Sequence, residues 1–472
     1  MELGPHPRMP NMIEQTLISN LKHASAIERP VGGFPYLGCA YRGSFPLVEI
    51  LGSIPGIALL SYSSAGCDAD FIQVESHFRR LSAGHQKTSP RLFSAEIGHA
   101  DVVLGTEARL RNAVDELVRR YSPQAIFIRA KCCTAGRSAT EVQEEIRQLR
   151  RHHSLPILLA RCDSLDRPRY RRHPLFPDPA WASLPLRRAR SGTFFNRIGF
   201  GRDQTFAQLL EKSGLPWNPL ELGAPWENFE QSGAAQLSFG YSTVEFGNQW
   251  GSMLERECQI PFQSLCLPYG FEGTGSALVE VGRLTGTLVE MRQLARSEEK
   301  RWGPEWHRLR AGLRGMRVLP LVVGHWGDEA PMLRLLRELG IVIPGLPEDG
   351  CHWTSLRNDL PQVDSFYGET GIGIGHVGGY QLLNLVREVK PDAVVAMHNG
   401  IAPWCARMGI PVLEIRDPRQ GLPFQSYEGL IRLGRRLLSL RQNPALFRTL
   451  SRQPHIPYRQ QWLDFPLVQE NS

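Results

Sequence analysis

Lysine is nearly missing from this chain: only 6 of its 54 basic residues are lysine, so arginine carries the net charge of +7. Those arginines are scattered over helical stretches such as 144-EEIRQLRRHH-153, so the charge marks no nucleic-acid-binding tract. Long apolar runs are missing too. The opening MELGPHPRMPNMIEQ has no hydrophobic core, and the most apolar early run, PLVEILGSIPGIALL, is broken by Glu49 and Pro55. A signal peptide and a membrane span are therefore not expected, and the expected location is the cytoplasm. There is no GxSxG, no HExxH and no GxxxxGK[ST], which removes the simplest hydrolase, metalloprotease and P-loop assignments. No short-period repeat or low-complexity segment appears.

What is present is a long chain of 472 residues, 42% of them hydrophobic, enough for several cores. Residues 101–133, DVVLGTEARLRNAVDELVRRYSPQAIFIRAKCC, read as strand, helix, strand: Leu110, Val114 and Leu117 recur at helical spacing, and Ser122-Pro123 breaks the helix before the apolar AIFIRA. With IALLSY before it, and the helix ATEVQEEIRQLRRHH and strand PILLARC after it, this predicts an α/β domain over 31–165, following an N-terminal segment 1–30. Residues 166–197 hold eight arginines among prolines and aromatics and read as an insertion. The α/β pattern restarts over 198–315, ending in a long polar helical connector from 286 to 315. It restarts again over 316–472 with MRVLPLVVG, IVIPGL, KPDAVVAMHNG, GIPVLEI and a final helix. The predicted fold is α/β, three Rossmann-like doubly wound parallel-sheet domains in series.

Nine cysteines, an odd number with no CxxC pair, argue against a disulfide framework and against zinc ribbons. Cys162, Cys258, Cys266, Cys351 and Cys405 lie in or beside apolar elements, as small buried thiols do. Cys39, Cys67 and Cys133 stand apart. All three fall at loop or strand-end positions of one α/β unit, and the first two follow glycines, Gly38 and Gly66. Soft thiolates on turns suit an iron–sulfur cluster, which takes ligands from widely spaced segments; buried structural thiols are the competing reading. Two further patterns carry less. The formal GxGxxG at 373-GIGHVG-378 lacks a good preceding strand and reads as a packed turn opening a helix. His325, His376 and His398 fall near predicted loop starts, where convergence on one cleft would give them meaning.

The words GCAYRGSFP, SYSSAGCDADF, VVLGTEARLRNAVDELVRRYSPQAIFIRAKCCTAGRSATEVQEEI and ECQIPFQSLCLPYGFEGTGSALVEVGRLTG resemble the nitrogenase component 1 superfamily. The resemblance runs on in order through KPDAVVAMHNG, RMGIPVLEI and the closing SYEGL. It implies three Rossmann-like domains, an α2β2-type heterotetramer with a paralogous component 1 subunit, and a homodimeric [4Fe–4S] ATPase reductase as electron donor. It implies that Cys39, Cys67 and Cys133 ligate a P-cluster-like or [4Fe–4S] iron–sulfur cluster shared with the partner subunit.

The sequence departs from the family where a catalytic cofactor would be held. Ser242 or Thr243 stands where a cysteine is needed, and Arg416 where a histidine is needed. SSAG replaces HGPxG before Cys67, and Glu141 is what remains of paired acidic residues. The expected function is thus a nitrogenase-like reductase subunit relaying low-potential electrons. A scaffold for cofactor assembly, a nucleotide-sugar enzyme of paired Rossmann domains, and a binding module with merely buried cysteines stay open as alternatives.

Overall fold

The fold is given by a computed structural model, which describes residues 14–17, 54–63, 92–130, 139–161, 193–199, 204–221, 223–241, 245–321, 329–348, 371–374, 386–396, 405–406, 408–415 and 424–452. Strand β1, Glu14–Leu17, comes first. The first parallel sheet is built from β2 (Ile57–Tyr62), β3 (Leu92–Ser94), β4 (Ala125–Ala130) and β5 (Ile157–Arg161), in the order β3-β2-β4-β5. Its helices are α1 (His99–Leu104), α2 (Glu107–Tyr121) and α3 (Ala139–His152).

Both central strands are buried along their whole length, which is why they read as unbroken apolar runs without alternation. The period of two still sorts their side chains. Ala58, Leu60, Tyr62, Ile126 and Ile128 pack against Leu110, Val114 and Leu117 of α2 and Val142, Ile146 and Leu149 of α3. Ile57, Leu59, Ala125 and Phe127 face the other way, toward Trp226, Phe229 and Trp250 of the next unit. Helix α2 ends where Ser122 takes a left-handed φ of 44° just before Pro123.

The second unit holds β6 (Phe195–Ile198), α4 (Thr205–Glu211), β7 (Trp217–Leu220), α5 (Trp226–Gln231), β8 (Leu237–Tyr241), α6 (Glu245–Cys258) and β9 (Phe262–Leu265). Its sheet is parallel in the order β7-β6-β8-β9. Two long helices follow, α7 (Gly270–Thr285) and α8 (Leu288–Leu313). The third unit has β10 (Val318–Leu321), α9 (Glu329–Glu338), β11 (Leu346–Glu348), β12 (Gly371–Ile374), β13 (Ala393–Ala396), β14 (Val412–Glu414), α10 (Ser426–Gln442) and α11 (Ala445–Arg452). It carries a parallel sheet β10-β13-β14 and a small mixed sheet in which β1 pairs antiparallel with β12, itself parallel to β11. These are three Rossmann-like parallel-sheet units, as the sequence predicts.

Helix α8 is no mere connector. Its Met291, Ala295, Leu309 and Leu313 are buried in one core with Leu278 and Val281 of α7 and Leu430, Leu433 and Leu437 of α10. Gly434 permits the approach: a Cβ there would lie 2.9 Å from Leu339 Cδ2 and 3.0 Å from Leu309 Cδ1. Glu338 joins third unit to second by accepting the backbone N–H groups of Phe271 (2.7 Å) and Glu272 (3.3 Å) at the amino end of α7, orphan donors that need a partner.

Three local expectations fail. DVVLG is helical: α1 lies between Gly98 and Gly105, and Asp101 accepts the Gly98 N–H at 2.9 Å. Its β-branched pair suggests a strand, but no sheet buries it, and Val102, Val103 and Leu104 are exposed. IVIPGL, which reads as a strand, is not a continuous one: it gives an isolated bridge between Arg317 and Val342 and then, at Leu346, the first residue of β11. Gly373 and Ile374 of the GxGxxG belong to strand β12 and not to a turn; the remainder of that motif lies outside the described residues.

Candidate metal centre at the carboxyl edge of the first sheet

In a parallel sheet, ligands gather at the carboxyl ends of strands, where the chain connections reverse direction. In the first sheet that point lies between β2 and β4: the chain leaves β2 for β3 on one side and then returns to β4 on the other. The two strands run in register from Ile57 opposite Ala125 to Tyr62 opposite Ala130, with backbones about 4.8 Å apart. Cys67 follows Tyr62 by five residues and Cys133 follows Ala130 by three. At about 3.5 Å per residue, chain length tethers Cys67 within about 18 Å and Cys133 within about 11 Å of one pair of strand ends. Cys39, Cys67 and Cys133 themselves lie outside the described residues, as do Cys132, Cys162 and Cys351.

The described part of this edge is polar. On the helix-covered face the Tyr62 hydroxyl, wholly buried, meets the Thr106 hydroxyl at the start of α2 and donates to Glu145 Oε2 of α3 at 3.2 Å. This knot ties the end of β2 to both helices. Beyond β2, Ser63 continues the strand line: Ala95 N–H donates to Ser61 O (2.9 Å) and Ile97 N–H to Ser63 O (3.0 Å), while the two serine hydroxyls are 2.7 Å apart. On the opposite face Arg129 is wholly buried, in register with Ser61 across the switch point. An arginine inside the otherwise apolar AIFIRA is the sequence signal for that charge, and sequence reasoning passed over it.

Cys258 and Cys405 are buried, and burial pushes the Cys405 thiol up to about 12, out of reach of thiolate chemistry. Cys266 is half-buried, with Sγ 3.7 Å from Gly273 O. Among the described residues no three His, Cys, Asp or Glu side chains come together as a metal-holding group. In the third unit, β10 and β13 are parallel neighbours with Leu321 opposite Ala396. His325 follows Leu321 by four residues and His398 follows Ala396 by two, so their segments leave one sheet edge; His376 follows β12 in the other sheet. These histidines, with Ser242, Thr243 and Arg416, lie outside the described residues.

Residues 39–170 and 195–441 match the family model for nitrogenase component 1 type oxidoreductases. The chain belongs to this family. The matched region begins at Cys39 and leaves out 171–194, inside the arginine-rich stretch. Among curated proteins the chain is 24% identical over 466 residues to the nitrogenase iron-molybdenum cofactor biosynthesis protein NifE of Klebsiella pneumoniae, covering 92% of this chain and 96% of that protein. It is 25% identical over 146 residues to the nitrogenase molybdenum-iron protein alpha chain of Methanosarcina barkeri, covering 31% of this chain and 27% of that one. The fold matches a solved structure of nitrogenase Cp1 at pH 6.5 with a TM-score of 0.69 at 14% identity, over 92% of this chain and 93% of that chain. No described helix is long and apolar enough to cross a membrane.

Proposed function

We propose that this component 1-type chain holds an iron–sulfur cluster through Cys39, Cys67 and Cys133 at an interface with a paralogous subunit. The observation that carries this is the switch point: β2 and β4 are in-register neighbours, and each leads within five residues to one of the thiols. The donor set fits the group. Three soft thiolates suit iron–sulfur ligation, three from one chain leave room for a partner's, and a buried cation, Arg129, suits an anionic guest. When bound, such a cluster supplies one-electron chemistry at low potential.

The residues of this chain bind and orient. Tyr62, through Thr106 and Glu145, fixes the end of β2 from which the Cys67 segment departs. The cores on both faces of the sheet keep water from the strand ends. The assembly that follows is an α2β2-type heterotetramer in the cytoplasm, served by a homodimeric [4Fe–4S] ATPase reductase.

Two roles suit such a subunit. The first is relay of low-potential electrons to a reducible substrate bound elsewhere in the complex. The second, a scaffold on which a nitrogenase-type cofactor is built, is favoured by the relatives carrying the NifE name, whereas Ser242, Thr243 and Arg416 at the cofactor-ligand positions favour the relay role. The test is purification with the neighbouring subunit under anaerobic conditions, followed by reduction with the cognate iron protein and ATP. Sustained substrate reduction supports relay. Transfer of bound metal to an apo-acceptor without turnover supports the scaffold. A complex that binds no iron overturns both.

A further inference from the structure

We propose that Glu338 is a proton-operated latch between the second and third units, a role independent of the cluster reading. It is the last residue of α9 and lies buried, 7% exposed, against the start of α7, where its carboxylate accepts the N–H groups of Phe271 at 2.7 Å and Glu272 at 3.3 Å. The fit is close: Gly270 holds a left-handed φ of 70°, and a Cβ there would collide with the Glu338 carboxylate. Among the described residues no basic side chain pairs with it, since Arg337 turns to Glu272 instead. The other charged groups on this junction come from every side. Arg334 of α9 donates to Leu267 O at 3.5 Å, and Tyr427 of α10 sets its ring 5.0 Å from that of Phe271. From α8, Trp306 donates to the Glu338 carbonyl at 2.8 Å with Arg310 over its ring, while Glu298 and Glu299 bear on the Tyr427 hydroxyl. Burying a carboxyl without a cationic partner disfavours its charged form. That burial outweighs the two N–H bonds and the more distant Arg337, and Glu272 adds repulsion, so Glu338 is held above the ordinary 4.5. Opening the junction returns the carboxyl to water and to its ordinary value, so the closed junction binds the proton more tightly than the open one. The stabilisation is complete below 4.5 and is lost as pH rises through the raised value, so the latch tightens in acid and loosens in base. Pro268, just before α7, also accepts the Ser426 N–H of α10 at 2.6 Å, so loosening at Glu338 bears on a second contact between the units.

The experiment is amide hydrogen exchange of the full chain in its complex, expressed as protection factors from about pH 5 to pH 9 so that the intrinsic pH dependence of exchange drops out. Amides of residues 271–274 in the wild type should lose protection by up to about tenfold per pH unit above the ordinary 4.5, then level off once the raised value is passed. Amides of β4 in the first unit, Ala125–Ala130, serve as the control and should show no such slope. Glu338→Gln and Glu338→Met both remove the charge and should flatten the profile of residues 271–274. The methionine leaves no buried amide N–H without an acceptor, so it stays readable if Glu338→Gln does not fold. If neither variant folds, the wild-type contrast between residues 271–274 and β4 decides. A flat wild-type profile, an equal slope in β4, or a slope that persists in the neutral variants would overturn the latch. The outcome does not depend on whether the complex holds iron, so this inference and the cluster reading fail separately.

Discussion

Tyr62→Phe removes one oxygen atom from the end of β2 and leaves the ring, which is wholly buried, in place. The lost hydroxyl serves Thr106, itself only 3% exposed, and the carboxylate of Glu145 at 3.2 Å. A neutral hydrogen bond is worth about 0.5–1.5 kcal/mol net, and one to a charged group about 1.5–3. The Glu145 bond is long for an O–H donor, so it belongs at the low end, and the sum is about 2 kcal/mol. That corresponds to a roughly thirtyfold change in the opening equilibrium. Amide hydrogen exchange reports it locally, which suits a chain of several cores whose global unfolding is not two-state. Amides of Ile57–Tyr62 and Ala125–Ala130 should exchange roughly thirtyfold faster in the variant. Thr106→Val should add less than its separate effect, because both changes break one contact. A change below about threefold would refute the view that this knot holds the strand end.

Three further outcomes follow from the packing and the charges. Phe127→Ala empties a fully buried site 6.1 Å from the Trp226 ring centroid; a loss of about 3–5 kcal/mol is expected, read as a lower melting temperature with proteolysis rising in both the first and second units. Glu305 is held down to about 2 by hydrogen bonds from Arg435 and Arg308. Its folded value lies below the ordinary 4.5, so its stabilising contribution is present above pH 4.5 and fades as pH falls toward 2; Glu305→Gln should flatten the stability profile across that window. Cys405, buried with its thiol pushed up to about 12, should resist alkylation at pH 8 in the native protein and react once the chain is unfolded.

The parts of the fold that sequence reveals are those in which burial and periodicity agree. IALLSY and AIFIRA are buried on both faces, and α2 repeats its apolar residues at helical spacing, so each reads as what it is. Short or tertiary elements do not. Strand β1 exists through its pairing with β12, more than 350 residues away, and no local signal encodes that partner. Val102-Val103-Leu104 reads as a strand because β-branched residues favour one, yet the glycines on either side and the Asp101 cap make a helix. The polarity of α8 hides a narrow buried stripe that packs between α7 and α10. Cys39, Cys67 and Cys133 stand out in the sequence by position but lie outside the described residues; the strand register adds that the Cys67 and Cys133 segments leave one edge. Arg129 is visible in the sequence as the one charge in an apolar strand, but its complete burial is not.

The central claim is tested most directly by the iron and acid-labile sulfide content of the anaerobically purified complex, with its EPR spectrum after dithionite. The account predicts iron and sulfide in fixed proportion to the complex, lost in each of Cys39→Ser, Cys67→Ser and Cys133→Ser and kept in Cys405→Ser. An intact complex that carries no iron, or one whose iron survives all three substitutions, would contradict it.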